Sequence, residues 1–146
     1  MIFAHLLIGI ILGKLFGNPL FFILGSVFPD IDHLYVIIKN KFFSFRKIID
    51  SMKFERKFKI RYKTKLVHSL LGLIVFSTII YFFDNKGVLY FGIAYFLHLL
   101  IDWLDIDEKY YLHPFNIKFK GFLPIWSNIE KIITLILFIT TIALYI

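Results

Sequence analysis

The chain contains no cysteine. That absence removes disulfide frameworks, thiolate nucleophiles and cysteine-based metal sites together, so any metal ion must be held by imidazole and carboxylate. Acidic residues are scarce, 10 against 17 Lys and Arg, and proline is rare, with 4 among 146 residues. Charged residues make up 18% of the chain, where an ordinary soluble domain has about 25%. The strings G-x-S-x-G, H-E-x-x-H and the Walker loop are missing too, which removes the nucleophile-elbow, zincin and P-loop routes to catalysis. No internal repeat or low-complexity tract breaks the chain.

Apolar surface dominates instead. Hydrophobic residues reach 59% and aromatic residues 20%, including 19 Phe, and the mean hydropathy is +0.78. Disorder is excluded, because so much apolar surface cannot stay solvated. The length allows one domain, residues 1–146.

The net charge of +7 is not spread evenly. Residues 39–65 hold eleven Lys and Arg against Asp50 and Glu55, so this segment carries +9 and the remainder −2. Two readings compete. A nucleic-acid patch would bind phosphates by counterion release. A cytoplasmic loop of a membrane protein would face anionic head groups under the positive-inside rule. Phe42, Phe43, Phe45, Ile48, Ile49, Met52, Phe54 and Phe58 are interleaved with the charges. That pattern suits one or two amphipathic helices at the interface, so the bilayer is the expected partner and nucleic acid is not.

The apolar runs agree. Residues 1–13 and 15–29 are split by Lys14, and three more runs cover 66–83, 87–101 and 132–146. Crossing about 30 Å of hydrocarbon takes about 20 helical residues. Only 66–83 comes close alone; snorkelling end residues extend the others to short spans. A chain this small cannot bury so many wholly apolar helices in water. The expected fold is therefore all-α, a multi-pass transmembrane bundle of about five helices in the cell membrane, with 39–65 as its basic cytoplasmic loop. Asn18-Pro19 and Asp84-Asn85-Lys86-Gly87 mark the outer turns. Ser127-Asn128-Ile129-Glu130 has capping-box spacing ahead of the last run. The N-terminal run lacks a basic n-region and a small-residue cleavage site, so it reads as a helix of the fold and not as a signal peptide.

Ionisable residues in or beside membrane helices are costly and are functional candidates by default. On this topology His5, Asp30, Asp32, His33, His68, His98 and Asp102 all fall at the cytoplasmic ends of their elements, although only Lys and Arg set the topology. Each has an ordinary alternative. His98 and Asp102, at i and i+4, share a helix face and could simply hydrogen-bond; Asp30, after Pro29, could be an N-cap; His68-Ser69 could be a core pair. Together they offer a His/Asp donor set suited to one or two Zn, Mn or Fe ions. His5, Asp30, His68, His98 and Asp102 are the expected ligands, and Asp32 or His33 the expected base or orienting group. His113-Pro114 is a weaker signal in a loop.

At these residues the sequence resembles a known family, the membrane-bound metal-dependent hydrolases also described as LexA-binding, inner-membrane-associated hydrolases. The matching pieces are Met-Ile-Phe-Ala-His5, Gly25-Ser-Val-Phe-Pro29-Asp30-Ile-Asp32-His33, His68-Ser69-Leu70, His98-Leu-Leu-Ile-Asp102, and the less specific Pro114-Phe115 and Leu123-Pro124-Ile-Trp126. The resemblance implies a multi-pass membrane protein with a His/Asp metal centre and hydrolase activity of ill-defined substrate; a phosphoester of a lipid-linked or head-group substrate is the expectation here. One stretch departs from the pattern. Members often carry His-Arg-Gly-x-Thr directly before the His-Ser pair, but this chain reads Lys63-Thr64-Lys65-Leu66-Val67. One expected His and an Arg are missing, leaving Lys63 or Lys65 to meet an anionic substrate. That gap keeps a second reading open, a non-enzymatic membrane protein whose centre is structural or degenerate and which binds a cytoplasmic partner.

Overall fold

A computed structural model describes the backbone of residues 1–146 and every side chain except that of Arg56. The chain is mostly helical: α1 (Ile2–Phe16), α2 (Pro19–Val27), α3 (Ile31–Lys39), α4 (Phe45–Lys53), α5 (Glu55–Phe58), α6 (Leu70–Phe83), α7 (Gly87–Asp102) and α8 (Asn128–Tyr145). A two-residue antiparallel pair, β1 (Glu108–Lys109) with β2 (Phe119–Lys120), and an isolated parallel bridge between Asp105 and Leu123 depart from all-α.

Punctuation in the sequence sets the boundaries. Gly17 closes α1 in the left-handed conformation (φ 71°) that glycine adopts at no steric cost, and Pro19 opens α2 two residues later. Pro29 cannot continue the α-helical ladder, and Phe28–Asp30 tightens into a 3-10 turn before α3 resumes. Ser69 caps α6 by accepting from Gly72 N–H at 3.1 Å. Ser127 caps α8 by accepting from Glu130 N–H at 3.2 Å, while the Glu130 carboxylate reaches back to Trp126 N–H at 2.6 Å. The capping box is thus present with its return bond shifted by one residue.

In space the long helices follow the order α8, α1, α2, α7, α6, each packed on its neighbours. Small residues bring them close, as between membrane helices. A Cβ on Gly25 would lie 2.3 Å from the Phe91 carbonyl oxygen, so α2 sits on α7 only because that Cβ is absent. Phe91, Tyr95 and Leu99 of α7 form the core, with Phe28, Leu73 and Phe76 packed around them.

Two helical stretches are long and apolar enough to cross a membrane, Pro19–Lys39 and α8. Pro19–Lys39 counts as one stretch through the 3-10 turn. The expected full set of five spans is therefore met in part. α1, α6 and α7 have 15, 14 and 16 residues, about 21–24 Å at 1.5 Å per residue, short of about 30 Å of hydrocarbon. α8 is not the core helix of a soluble protein, since only 6% of it is buried. Residues 39–65 contain α3's last residue, α4 and α5, and α4 is amphipathic, with Ser51 buried and Phe45, Arg46 and Lys47 exposed.

Candidate metal centre

Antiparallel packing gathers the polar residues. His5 lies in the first turn of α1, Asp30 ends the 3-10 turn after α2, Asp32 and His33 open α3, His68 precedes α6, and His98 and Asp102 occupy the last turns of α7. α1 and α6 start at the end where α2 and α7 finish, so six of the seven side chains are buried together there and His33 is half-buried.

Each buried imidazole is held from behind through Nδ1. His5 Nδ1 lies 3.0 Å from Asp30 Oδ2, His68 Nδ1 3.0 Å from Asp32 Oδ2, and His98 Nδ1 2.7 Å from the Ser26 carbonyl oxygen. A carbonyl only accepts, so His98 carries its proton on Nδ1 and presents a lone pair at Nε2. Asp32 also accepts from Thr64 N–H at 2.8 Å and from His33 Nδ1 at 2.8 Å.

The Nε2 atoms of His5, His68 and His98 all face Asp102, at 3.5, 3.3 and 3.6 Å, and none of the three has a hydrogen-bond partner. An orphaned buried nitrogen costs about 1–3 kcal/mol. Three aimed at one carboxylate are a strained arrangement for a purely structural network. Ligands about 2.0–2.1 Å from a tetrahedral ion stand about 3.3–3.4 Å apart, close to the separations here, so the donor set fits a metal ion. Three overlapping groups are near enough to hold one: His5, Asp30 and His98; Asp30, His33 and His68; His68, His98 and Asp102. In the second of these, the Nδ1 atoms of His33 and His68 already bond to Asp32.

A lysine stands beside the cluster. Lys63 Nζ donates to Asp105 Oδ2 at 2.9 Å, lies 2.9 Å from Asp102 Oδ2 and 3.9 Å from Asp107 Oδ2. Burial alone would lower its pKa, but these carboxylates hold it well above the usual lysine value. Lys109 Nζ donates to the Asp105 carbonyl oxygen, and burial beside Lys63 draws its pKa down to about 8. Lys63 is therefore locked into the centre, in contrast to the expectation that it is free to meet an anionic substrate; Lys65 instead donates to Asn116 at the surface.

A cavity of about 50 Å³ reaches the cluster past His33, Asp30, Asp102, Lys63 and Trp126, room for about three waters. Beside it, sharing Met52, Glu55 and Asp107, opens a cleft of about 490 Å³ lined by Lys53, Lys57, Lys59, Arg61 and Lys120.

All seven expected residues thus meet at one place. The ordinary alternatives fare less well: the Asp30 carboxylate makes no cap bond and holds His5, and Ser69 bonds to Leu66 and Gly72 and not to His68. His113 joins no ligand group among the described residues. Asp105 and Asp107, in the string Asp105-Ile106-Asp107-Glu108, join the centre without having been expected there, and the Ser26 carbonyl, being backbone, has no sequence signal.

The model of the YdjM inner membrane protein family matches the chain over residues 1–146. No curated protein and no solved structure matches.

Proposed function

The chain belongs to the YdjM inner membrane protein family, and on that footing we propose that it is a metal-dependent hydrolase whose centre faces the cytoplasmic surface of the membrane. What carries the reading is the convergence of three partnerless Nε2 atoms on Asp102, each imidazole fixed from behind. His5, His68, His98 and Asp102 are the ligands. Asp30, expected as a ligand, orients His5 through Oδ2 while its Oδ1 lies 3.9 Å from His98 Nε2, so it would both position an imidazole and complete the donor set.

A divalent Zn, Mn or Fe ion held there would act as a Lewis acid and lower the pKa of a bound water. The chain's own residues do the rest. His33 lines the cavity with Nδ1 held by Asp32, leaving Nε2 to accept a proton from the attacking water. The basic cleft attracts the phosphate of a head group or lipid-linked substrate. The small cavity keeps bulk water away from the reacting bond. α1, α2 with its 3-10 turn, α6, α7 and α8 form a five-span bundle in which the short helices rely on local thinning and snorkelling, and α3 with residues 39–65 lies on anionic lipid.

The test is the metal content of detergent-purified protein beside the His98→Ala/Asp102→Ala double variant. At least one equivalent in the parent, lost in the variant, with metal-dependent phosphoester cleavage, is expected. A well-folded parent without metal, or a loaded parent inert towards phosphoesters, sinks the hydrolase.

A second reading, a closed structural centre in a non-enzymatic protein, is favoured by one observation: His5, His68, His98 and Asp102 are each 1% exposed. Water proton relaxation of the Mn-loaded protein separates the two, since a closed centre gives no exchangeable water.

A further inference from the structure

Asp102 Oδ2 faces two kinds of cation position at once. On one side stand His68 Nε2 at 3.3 Å and His98 Nε2 at 3.6 Å; on the other stands Lys63 Nζ at 2.9 Å. In a two-metal site, where ions lie about 3.5–4 Å apart, a carboxylate oxygen placed in this way would be shared between the two cations. Beyond the bridge Asp105 and Asp107 complete an acidic pocket around the ammonium. Asp105 Oδ1 is buried and has no hydrogen-bond partner. Three carboxylates face the Lys63 ammonium; Lys109, whose hydrogen bond goes to the Asp105 carbonyl, adds a second positive charge close to all three, so the pocket holds three negative charges against two positive.

We propose that the Lys63 ammonium is the second cation of the centre, covalently built in, so that the protein binds one divalent ion and not two. The inference rests on the metal-centre reading above. It gives Lys63 a positioning role: the ammonium fixes Asp102 for the ion and supplies beside the reacting phosphoryl group the positive charge that a second metal would bring. Removing it leaves Asp102, Asp105 and Asp107 as an all-oxygen pocket, the donor type that suits Mn or Mg.

Elemental analysis of purified full-length protein dialysed against Mn²⁺ tests this. The parent should hold one equivalent, Lys63→Ala two, and the charge-preserving Lys63→Arg one. Thermal stability of Lys63→Ala should depend on added Mn²⁺ more steeply than that of the parent, because the ion replaces a lost charge. Two equivalents in the parent overturn the proposal without any variant having to fold, and leave the metal centre standing. One equivalent in folded Lys63→Ala, with no added Mn²⁺ dependence, overturns it likewise. No metal in a folded parent overturns the centre itself, a distinct outcome.

Discussion

The imidazole of His98 is pinned by the carbonyl of Ser26, 72 residues earlier in the chain, at 2.7 Å from Nδ1. The bond crosses the α2–α7 interface, which closes only because Gly25 has no Cβ; an added one would stand 2.3 Å from the Phe91 oxygen and 2.9 Å from Ala94 Cβ. Both obstacles belong to packed helix and not to a flexible side-chain end. Gly25→Ala should therefore push α2 off α7, carry the Ser26 carbonyl away from His98, and cost about 1–3 kcal/mol of stability. Metal affinity should fall at least tenfold, while Ser26→Ala, which keeps the carbonyl, should leave it near the parent value. Calorimetric titration with Zn²⁺ reads both, and equal affinities in Gly25→Ala and the parent would contradict the link.

Asp32 does three tasks at once. Its carboxylate accepts from Thr64 N–H, His68 Nδ1 and His33 Nδ1, tying the start of α3 to the approach to α6. Asp32→Asn keeps the shape but puts a donor where three donors already point. Loss of such an orienting carboxylate typically weakens metal binding by about 10–100-fold. We expect that drop for Asp32→Asn, with helix content by circular dichroism unchanged; full affinity in a folded variant would remove Asp32 from the centre.

The sequence carried these residues to one end of the bundle because antiparallel helices make position along the chain predict depth. Apolar runs fixed where α1, α2, α6, α7 and α8 lie, and turn residues such as Asn18-Pro19 fixed where they reverse. Depth alone does not say which nitrogen of an imidazole points inward. That depends on anchors such as the Ser26 carbonyl and Asp32, which come from other elements through long-range packing. The Lys63 pairing was hidden for the same reason: Lys63 and Asp105 are 42 positions apart, and a lysine in a basic segment reads as solvated. Span number was the least legible, since α6 carries no charged residue yet has only 14 helical residues.

Glu55 should make the α4–α5 region pH-sensitive. Burial raises its carboxyl from about 4.5 to about 7, against the acceptance of Tyr62 N–H at 2.9 Å. A carboxyl with a raised folded-state pKa binds its proton more tightly when folded, so its contribution is fully present below pH 4.5 and is lost as pH rises through about 7. Amides of α4 and α5 should exchange faster, relative to intrinsic rates, at pH 8 than at pH 5. Glu55→Gln should flatten that difference; hydrogen exchange with an unchanged pH slope in Glu55→Gln would assign it to another group.

The two tryptophans give a test of where the centre sits relative to the bilayer. Trp103 follows directly on α7 one residue after Asp102, and Trp126 precedes α8, with its ring 6.4 Å from that of Phe3 in the first turn of α1. Both therefore lie at the same end of the bundle as His5 and Asp102. Trp prefers the level of the head groups, where its apolar body and N–H are both satisfied. The chain has no other Trp, so its total indole fluorescence reports this one plane. Reconstituted into bilayers of brominated lipid, the protein should be quenched strongly by bromines near the glycerol end of the acyl chain and weakly by bromines near the methyl end. The reverse order would put the centre near the bilayer midplane, where the basic cleft could not reach a head group, and the head-group substrate would have to be abandoned.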